Sequence, residues 1–132
     1  MALVLLLRGY RAAHMRGPDE ASVKLIKTIV RPDKMDVVRD ALGKMNIQGM
    51  TLTDVSGHGK QKGHTAIYRG QEYSVSLLPK MQIELVIADD LVDDAVSAIM
   101  QAARTGEIGD GRVFVMPVEQ SYRIRTGEYE QD

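Results

Sequence analysis

The stretch MQIELVIADDLVDDAVSAIMQAARTGEIGDGRVFVMPV, residues 81–118, holds a strand, a helix, a glycine-rich turn and a second strand in unbroken succession. Met81, Ile83, Leu85 and Ile87 alternate with Gln82 and Glu84, the period of two that puts one apolar row on one sheet face. Asp89 and Asp90 then open a helix with Val92, Ala95, Val96, Ile99 and Ala103 on one side. Arg104 provides a basic last turn and Gly106 a C-cap. Val113 to Val118 is apolar and β-branched and reads as the closing strand.

The same order precedes it. Leu25 to Val30 reads as a strand that Pro32 stops. Val38, Ala41, Leu42 and Met45 lie at i, i+3, i+4 and i+7, one stripe of a helix whose start carries Asp33 and Asp36 to complement the macrodipole. Gly43 inside that helix costs roughly 1 kcal/mol against alanine and has no evident reason there. Met50 to Val55 alternates as a strand and ends at Gly57. Two βαβ halves of this kind predict an α+β, ferredoxin-like βαββαβ domain with both helices on one sheet face. The other face would then leave Ile26, Val30, Val86 and Phe114 or Val115 uncovered, which predicts symmetric self-association.

Residues 1–22 show no sustained period and end in Arg16-Gly17-Pro18-Asp19-Glu20, so the domain is expected over 23–132 with a flexible C-terminal tail. Val23 is a residue that a GTG start codon encodes, and the leader reads as disordered or as an over-extended frame. Its apolar run, Leu3 to Leu7, is too short to cross a bilayer and lacks the preceding basic residue of a signal peptide. A cytoplasmic location is expected. The chain has 132 residues, a net charge of -1 and no cysteine. That size suits one domain. The charge gives no global field for nucleic acid, and disulfides and thiolate metal sites are excluded.

Three segments carry chemistry. Between the second and third strands, Gly59 to Leu78 form a connection of about twenty residues, a length that is usually functional. Gly57 and Gly59 at its base let backbone N–H groups approach an anion. Between the second helix and the last strand, Thr105-Gly106-Glu107-Ile108-Gly109-Asp110-Gly111-Arg112 joins three glycines to a hydroxyl and an arginine. That combination suits a phosphate cradle. Near the C-terminus, Tyr122-Arg123-Ile124-Arg125 reads as a strand that sends both guanidinium groups to one face.

Together with Gln61-Lys62-Gly63-His64, Tyr68-Arg69-Gly70-Gln71-Glu72-Tyr73, Leu78-Pro79-Lys80 and Arg125-Thr126-Gly127-Glu128, these segments resemble the PII nitrogen-regulatory signal-transduction proteins. The resemblance runs from Val23 to about Glu128. It implies a homotrimer with nucleotide sites in the clefts between subunits. Gly57, Gly59, Lys60 and Gln61 would form one wall of an ATP/ADP site. Gly109, Asp110, Gly111 and Arg112 would cradle phosphates, joined by Arg123 and Arg125 of a neighbouring subunit. Thr51, Glu84 and Thr105 would surround the nucleoside, with Ile29 and Val86 also at that site. Gln61 would complete the shell of a Mg²⁺ ion. Gln61, Lys62 and Gly63 would contact 2-oxoglutarate, with Lys80 on its distal carboxylate. Tyr73 matches a loop tyrosine that a nucleotidylyltransferase modifies in some relatives, and Arg69 a loop-tip arginine that plugs an ammonium transporter. Four positions depart from the common pattern. Lys60 and Arg112 each exchange one cation for the other, Gln71 removes a serine switch, and His58 replaces a frequent aromatic.

The resemblance thus implies a regulator of ammonium transport and nitrogen-assimilation enzymes rather than an enzyme, recruited to the membrane through its transporter. A ferredoxin-like phosphotransferase or slow ATPase is the main alternative. It would need His58 or His64 as nucleophile, and neither has a carboxylate partner at local spacing. An RNA-binding reading of Gly111 to Val115 lacks the stacking aromatics, since the chain has one Phe and no Trp. Scattered histidines without cysteine argue against a transition-metal site.

Overall fold

Strand β1, Val23–Val30, stops where Arg31 meets Pro32. Arg31 is held extended, as a residue before proline must be. Pro32 then starts a single 3₁₀ turn, Pro32–Lys34, that feeds helix α1, Met35–Gly43. Strand β2, Thr51–Gly57, follows, and then strands β3, Thr65–Tyr68, and β4, Gln71–Ser74. Strand β5, Leu78–Ala88, a 3₁₀ turn at Asp89–Leu91, helix α2, Val92–Ala103, and strand β6, Gly111–Val118, complete the order. The computed structural model from which these elements come describes residues 22–58, 65–68, 71–74 and 77–129.

The main sheet runs β2-β5-β1-β6, antiparallel throughout, and β3 pairs with β4 in a separate two-stranded sheet. This is the expected ferredoxin-like order, with the two central strands coming from different halves. The twenty-residue connection is more structured than its sequence suggests. It contains the β3–β4 hairpin, and Tyr73 stands opposite Ala66 in it. The base of the connection is also tighter, because Gly57 pairs with Leu78 and β5 is thereby extended to 11 residues.

Both helices cover one sheet face. Val38 and Leu42 of α1 and Ala95, Ile99 and Ala103 of α2 are buried against Ile26, Val30, Ile83, Leu85 and Ile87. This corrects the expected position of Ile26 and Val30, which lie in the core and not on the open face. Strand β1 carries aliphatic residues in both parities, Leu25 and Ile29 against Ile26 and Val30. The deciding pair is therefore Lys27 and Thr28. Burying an ammonium is far costlier than burying a hydroxyl. Thr28 goes inward and satisfies its hydroxyl by donating to the Arg112 carbonyl at 2.9 Å. Val115 pairs with Ile26 and so shares the helix side, at the β6 edge. The open face instead carries Leu25, Ile29, Val86, Phe114 and Met116, with Val86 40% and Phe114 41% exposed.

Helix α1 ends by a Schellman motif. Asn46 takes the left-handed conformation at φ 63, its N–H donates to Gly43 O, and Ile47 N–H donates to Leu42 O. Ile47 is buried against the core, as the hydrophobic partner of that motif should be. Gly43 is therefore the last helical residue and not its left-handed cap. At the other boundary, Ser22 donates its hydroxyl to Asp89, and Asp89 N–H donates to Ser22 O at 3.0 Å. Of the expected leader, residues 1–22, Ser22 is described and pairs with Asp89, and residues 1–21 lie outside the described residues.

Candidate functional site

The turn from α2 into β6 is shaped by one carboxylate. Asp110 accepts from the Thr105 N–H at 2.8 Å and the Gly106 N–H at 2.9 Å, and also from the Thr105 hydroxyl. Thr105 Oγ1 in turn accepts from the Glu107 N–H at 3.1 Å. These donors, the Thr105 hydroxyl first, hold the Asp110 carboxyl well below the usual carboxylate range. The path they enforce needs three glycines with positive φ, Gly106 at 91, Gly109 at 102 and Gly111 at 103. Gly111 is forced twice over, since a Cβ there would sit 1.7 Å from the Ile29 carbonyl oxygen.

Two cations clasp this turn from the sheet. Arg31 Nε donates to Asp110 at 3.2 Å and its Nη2 to the Ile108 carbonyl at 2.8 Å. Lys80 Nζ donates to the Gly109 carbonyl at 2.7 Å. Lys80 has its pKa lowered by burial and then by Arg31, with Asp110 opposing. The repulsion from Arg31 thus exceeds the attraction to a carboxylate already committed to its own loop. Arg31 and Lys80 thus bring two cations to the turn beside one carboxylate. Gly57 lies behind Lys80, where a Cβ would meet the Lys80 Cγ at 3.3 Å. A side chain at 57 would press on the stem that aims the ammonium.

The structure brings many of the expected residues together here: Gly57, Lys80, Thr105, Gly109, Asp110, Gly111, and Arg112, which pairs with Ile29. Thr51, Glu84 and Val86 form a second group, on the open face. Thr51 pairs with Glu84, and Gln82 donates to the Glu84 carboxylate at 2.7 Å. A shallow groove lined by Leu25, Thr51, Glu84 and Val86 runs there. Strand β1 separates this group from the cradle turn.

Arg123 and Arg125 do not stand on a strand as the sequence suggests. Tyr122 and Tyr129 form an antiparallel bridge, and Ile124 to Thr126 make the turn between them. Gly127, at φ 71, and the donor–acceptor pairs Arg123 N–H to Glu128 O and Gly127 N–H to Arg123 O close it. The period of two fails because Thr126-Gly127 reverses the chain. Strand β6 carries the chain from Gly111, beside Val30, to Val118, beside Val23, before this hairpin begins.

Arg31 was not singled out in the sequence, although the topology could have found it. In this fold the end of β1 must lie beside the start of β6, so a cation before Pro32 faces the glycine turn. Gly59, Lys60, Gln61, Lys62, Gly63, His64 and Arg69 lie outside the described residues, which leaves the expected Mg²⁺ ligand and the loop tip there too. His58 is exposed. Among the described residues no three His, Cys, Asp or Glu side chains are grouped as a metal site, and no helix is long and apolar enough to cross a membrane.

The sequence model of the nitrogen regulatory protein P-II family matches residues 23–128. The chain is 53% identical over 110 residues to the nitrogen regulatory protein P-II of Rhizobium etli, covering 83% of this chain and 98% of that protein. It is 55% identical over 106 residues to the Rhodospirillum rubrum protein of the same name, with 80% and 95% covered. Against that of Haemophilus influenzae it is 51% identical over 110 residues, with 83% and 98% covered.

Proposed function

The chain belongs to the nitrogen regulatory protein P-II family, and from that membership we propose that it reports nitrogen, carbon and energy status by binding ATP or ADP and, with Mg-ATP, 2-oxoglutarate. The observation that carries the ligand reading is the cradle turn. Its backbone is held open by glycines and Asp110, and the cations of Arg31 and Lys80 converge on it. Phosphate oxygens fit such a place because they accept from backbone N–H groups and compensate positive charge.

The roles follow from position. Gly109, Gly111 and Arg112 would face phosphates, and Asp110 would hold the loop in shape rather than touch the ligand. Lys80 would exchange its bond to Gly109 O for a carboxylate of 2-oxoglutarate. Magnesium would neutralise phosphate charge, with Gln61 as a protein ligand. Thr51, Glu84 and Val86 lie across β1 from the cradle, so a nucleotide touching all of them would lie between chains. Three copies packed by their open faces would cover Leu25, Val86, Phe114 and Met116 and bring Arg123 and Arg125 of one copy toward a neighbour's cradle.

The arm between β2 and β5 starts at Gly57, directly against Lys80. A ligand that changes how Lys80 is held would change which arm conformations are populated, by its differential affinity for them. Through that arm the protein would regulate an ammonium transporter and nitrogen-assimilation enzymes, with Arg69 and Tyr73 as contact and modification points. Titration calorimetry tests this directly. Binding of 2-oxoglutarate is expected only in the presence of Mg-ATP, and a sizing experiment should return a trimer. A monomer without affinity for adenine nucleotides, or 2-oxoglutarate binding unchanged by nucleotide, overturns the proposal.

A further inference from the structure

The hairpin at residues 122–129 is closed by a single antiparallel bridge between Tyr122 and Tyr129 among the described residues. Ile124 at its tip is 99% exposed and adds no packing. Among the described residues, Arg123 makes two backbone hydrogen bonds across it: its N–H donates to Glu128 O at 2.9 Å, and its O accepts from the Gly127 N–H at 2.7 Å. A further short-range bond, Glu128 N–H to Thr126 Oγ1 at 3.2 Å, stays within the turn. A two-stranded hairpin of this size is marginal in water. What distinguishes this one is an aromatic pair at its mouth. The Tyr122 and Tyr129 rings meet edge to face, with centroids 5.7 Å apart and planes at 64°, a favourable geometry for aromatic contact across a bridge.

We propose that Tyr122 and Tyr129 form a latch that closes the Arg123–Arg125 turn before any ligand arrives, making them positioning residues for anion capture. This rests on the reading above that the two arginines bind nucleotide phosphate. The physical reason is entropic. Arg123 has its backbone fixed on both sides by the hairpin bonds, and Arg125 sits inside the turn that they close. With the latch open, each phosphate contact would also have to order these backbones. The apparent affinity then falls in proportion to the fraction of chains whose hairpin is closed.

Full-length Y129A, Y129F and the double variant R123A/R125A separate the possibilities. ATP binding by calorimetry and amide exchange of Arg123 and Gly127 without nucleotide are the two readouts. Y129A is expected to bind ATP roughly two- to tenfold more weakly, the range of an aromatic pair contact, and to exchange both amides faster. Y129F keeps the ring and is expected to restore both. R123A/R125A is expected to lose affinity with the Gly127 amide still protected. If Y129A binds as the unaltered protein does while R123A/R125A does not, the latch is refuted and the arginine reading stands. If R123A/R125A binds normally, the arginine reading fails and the latch's role in capture falls with it. A Y129F variant as weak as Y129A, or weakened binding with unchanged exchange, also overturns the latch.

Discussion

Replacing Gly111 by alanine isolates the contact that fixes where the cradle meets the sheet. Gly111 has φ 103 and pairs with Val30 at the first position of β6. A Cβ there would lie 1.7 Å from the Ile29 carbonyl oxygen and 2.8 Å from its carbon. Both atoms are backbone in the centre of the sheet, so the strand start must retreat by more than an ångström. The left-handed conformation costs an L-residue about 1–2 kcal/mol. Forcing atoms apart in packed structure adds roughly 1–3 kcal/mol, and a lost ladder hydrogen bond about 1 kcal/mol. The total is roughly 3–6 kcal/mol. Gly106 has φ 91 but open space around its Cβ position. Gly106→Ala should therefore cost only the conformational part, about 1–2 kcal/mol. Gly43 has helical neighbours and open space, so Gly43→Ala should stabilise by about 0.4–1 kcal/mol. Urea denaturation at one protein concentration reads all three, since the proposed assembly would make stability concentration-dependent. A Gly111→Ala variant no less stable than Gly106→Ala would refute the argument.

Two other perturbations probe the same end of the sheet. Thr28→Val keeps the shape of a fully buried side chain but leaves the Arg112 carbonyl without its hydroxyl donor. It should cost about 1–3 kcal/mol in urea denaturation, and a neutral result would mean that the carbonyl is satisfied otherwise. Asp110 has its folded-state pKa depressed below the ordinary value of 3.8. Its contribution to stability is thus fully present above that value and is lost as pH falls through the depressed one. Protection of the Thr105 and Gly106 amides against exchange, followed from pH 7 downward, should hold to below pH 3.8 and then collapse. In Asp110→Asn that protection should be weaker at neutral pH and insensitive to acid. Equal acid sensitivity in the two proteins would assign the loop's order to another group.

The segments with one dominant period were legible in the sequence. Alternation at Met81 to Ile87 and the helical stripe from Val92 to Ala103 left a single way to bury their apolar residues, and the α+β order followed. Strand β1 was ambiguous because both of its parities are aliphatic, and only the different burial costs of Lys27 and Thr28 decide between them. The glycine cluster was recognisable as a tight turn between the second helix and the last strand. What its Asp110 does was not, because its partners are backbone N–H groups that no residue type announces. Arg31 was missed for a related reason, its relevance arising from sheet order and not from local sequence. The C-terminal arginines were placed on a strand because their spacing fits one. A turn signal, Thr126-Gly127, outweighed that spacing.

In the proposed function, the charge balance of the turn accounts for an acidic residue beside a bound anion. A carboxylate in a phosphate site would ordinarily repel the ligand. Here the Asp110 oxygens are occupied by the donors of Thr105 and Gly106 and by Arg31. Its negative charge is thereby directed into the turn, where it fixes the backbone. Arg31 divides itself between that carboxylate and the Ile108 carbonyl, and Lys80 donates to the Gly109 carbonyl. Burial first, and then the neighbouring Arg31 charge, lower the Lys80 pKa, with Asp110 opposing. An anion bound as proposed would meet both cations without breaking the bonds that Asp110 makes within the loop. The bond from Lys80 to Gly109 joins this turn to the strand that begins opposite Gly57, where the arm departs. Under the proposed function, capture of an anion at Lys80 would loosen a bond that ties the turn to the base of the arm.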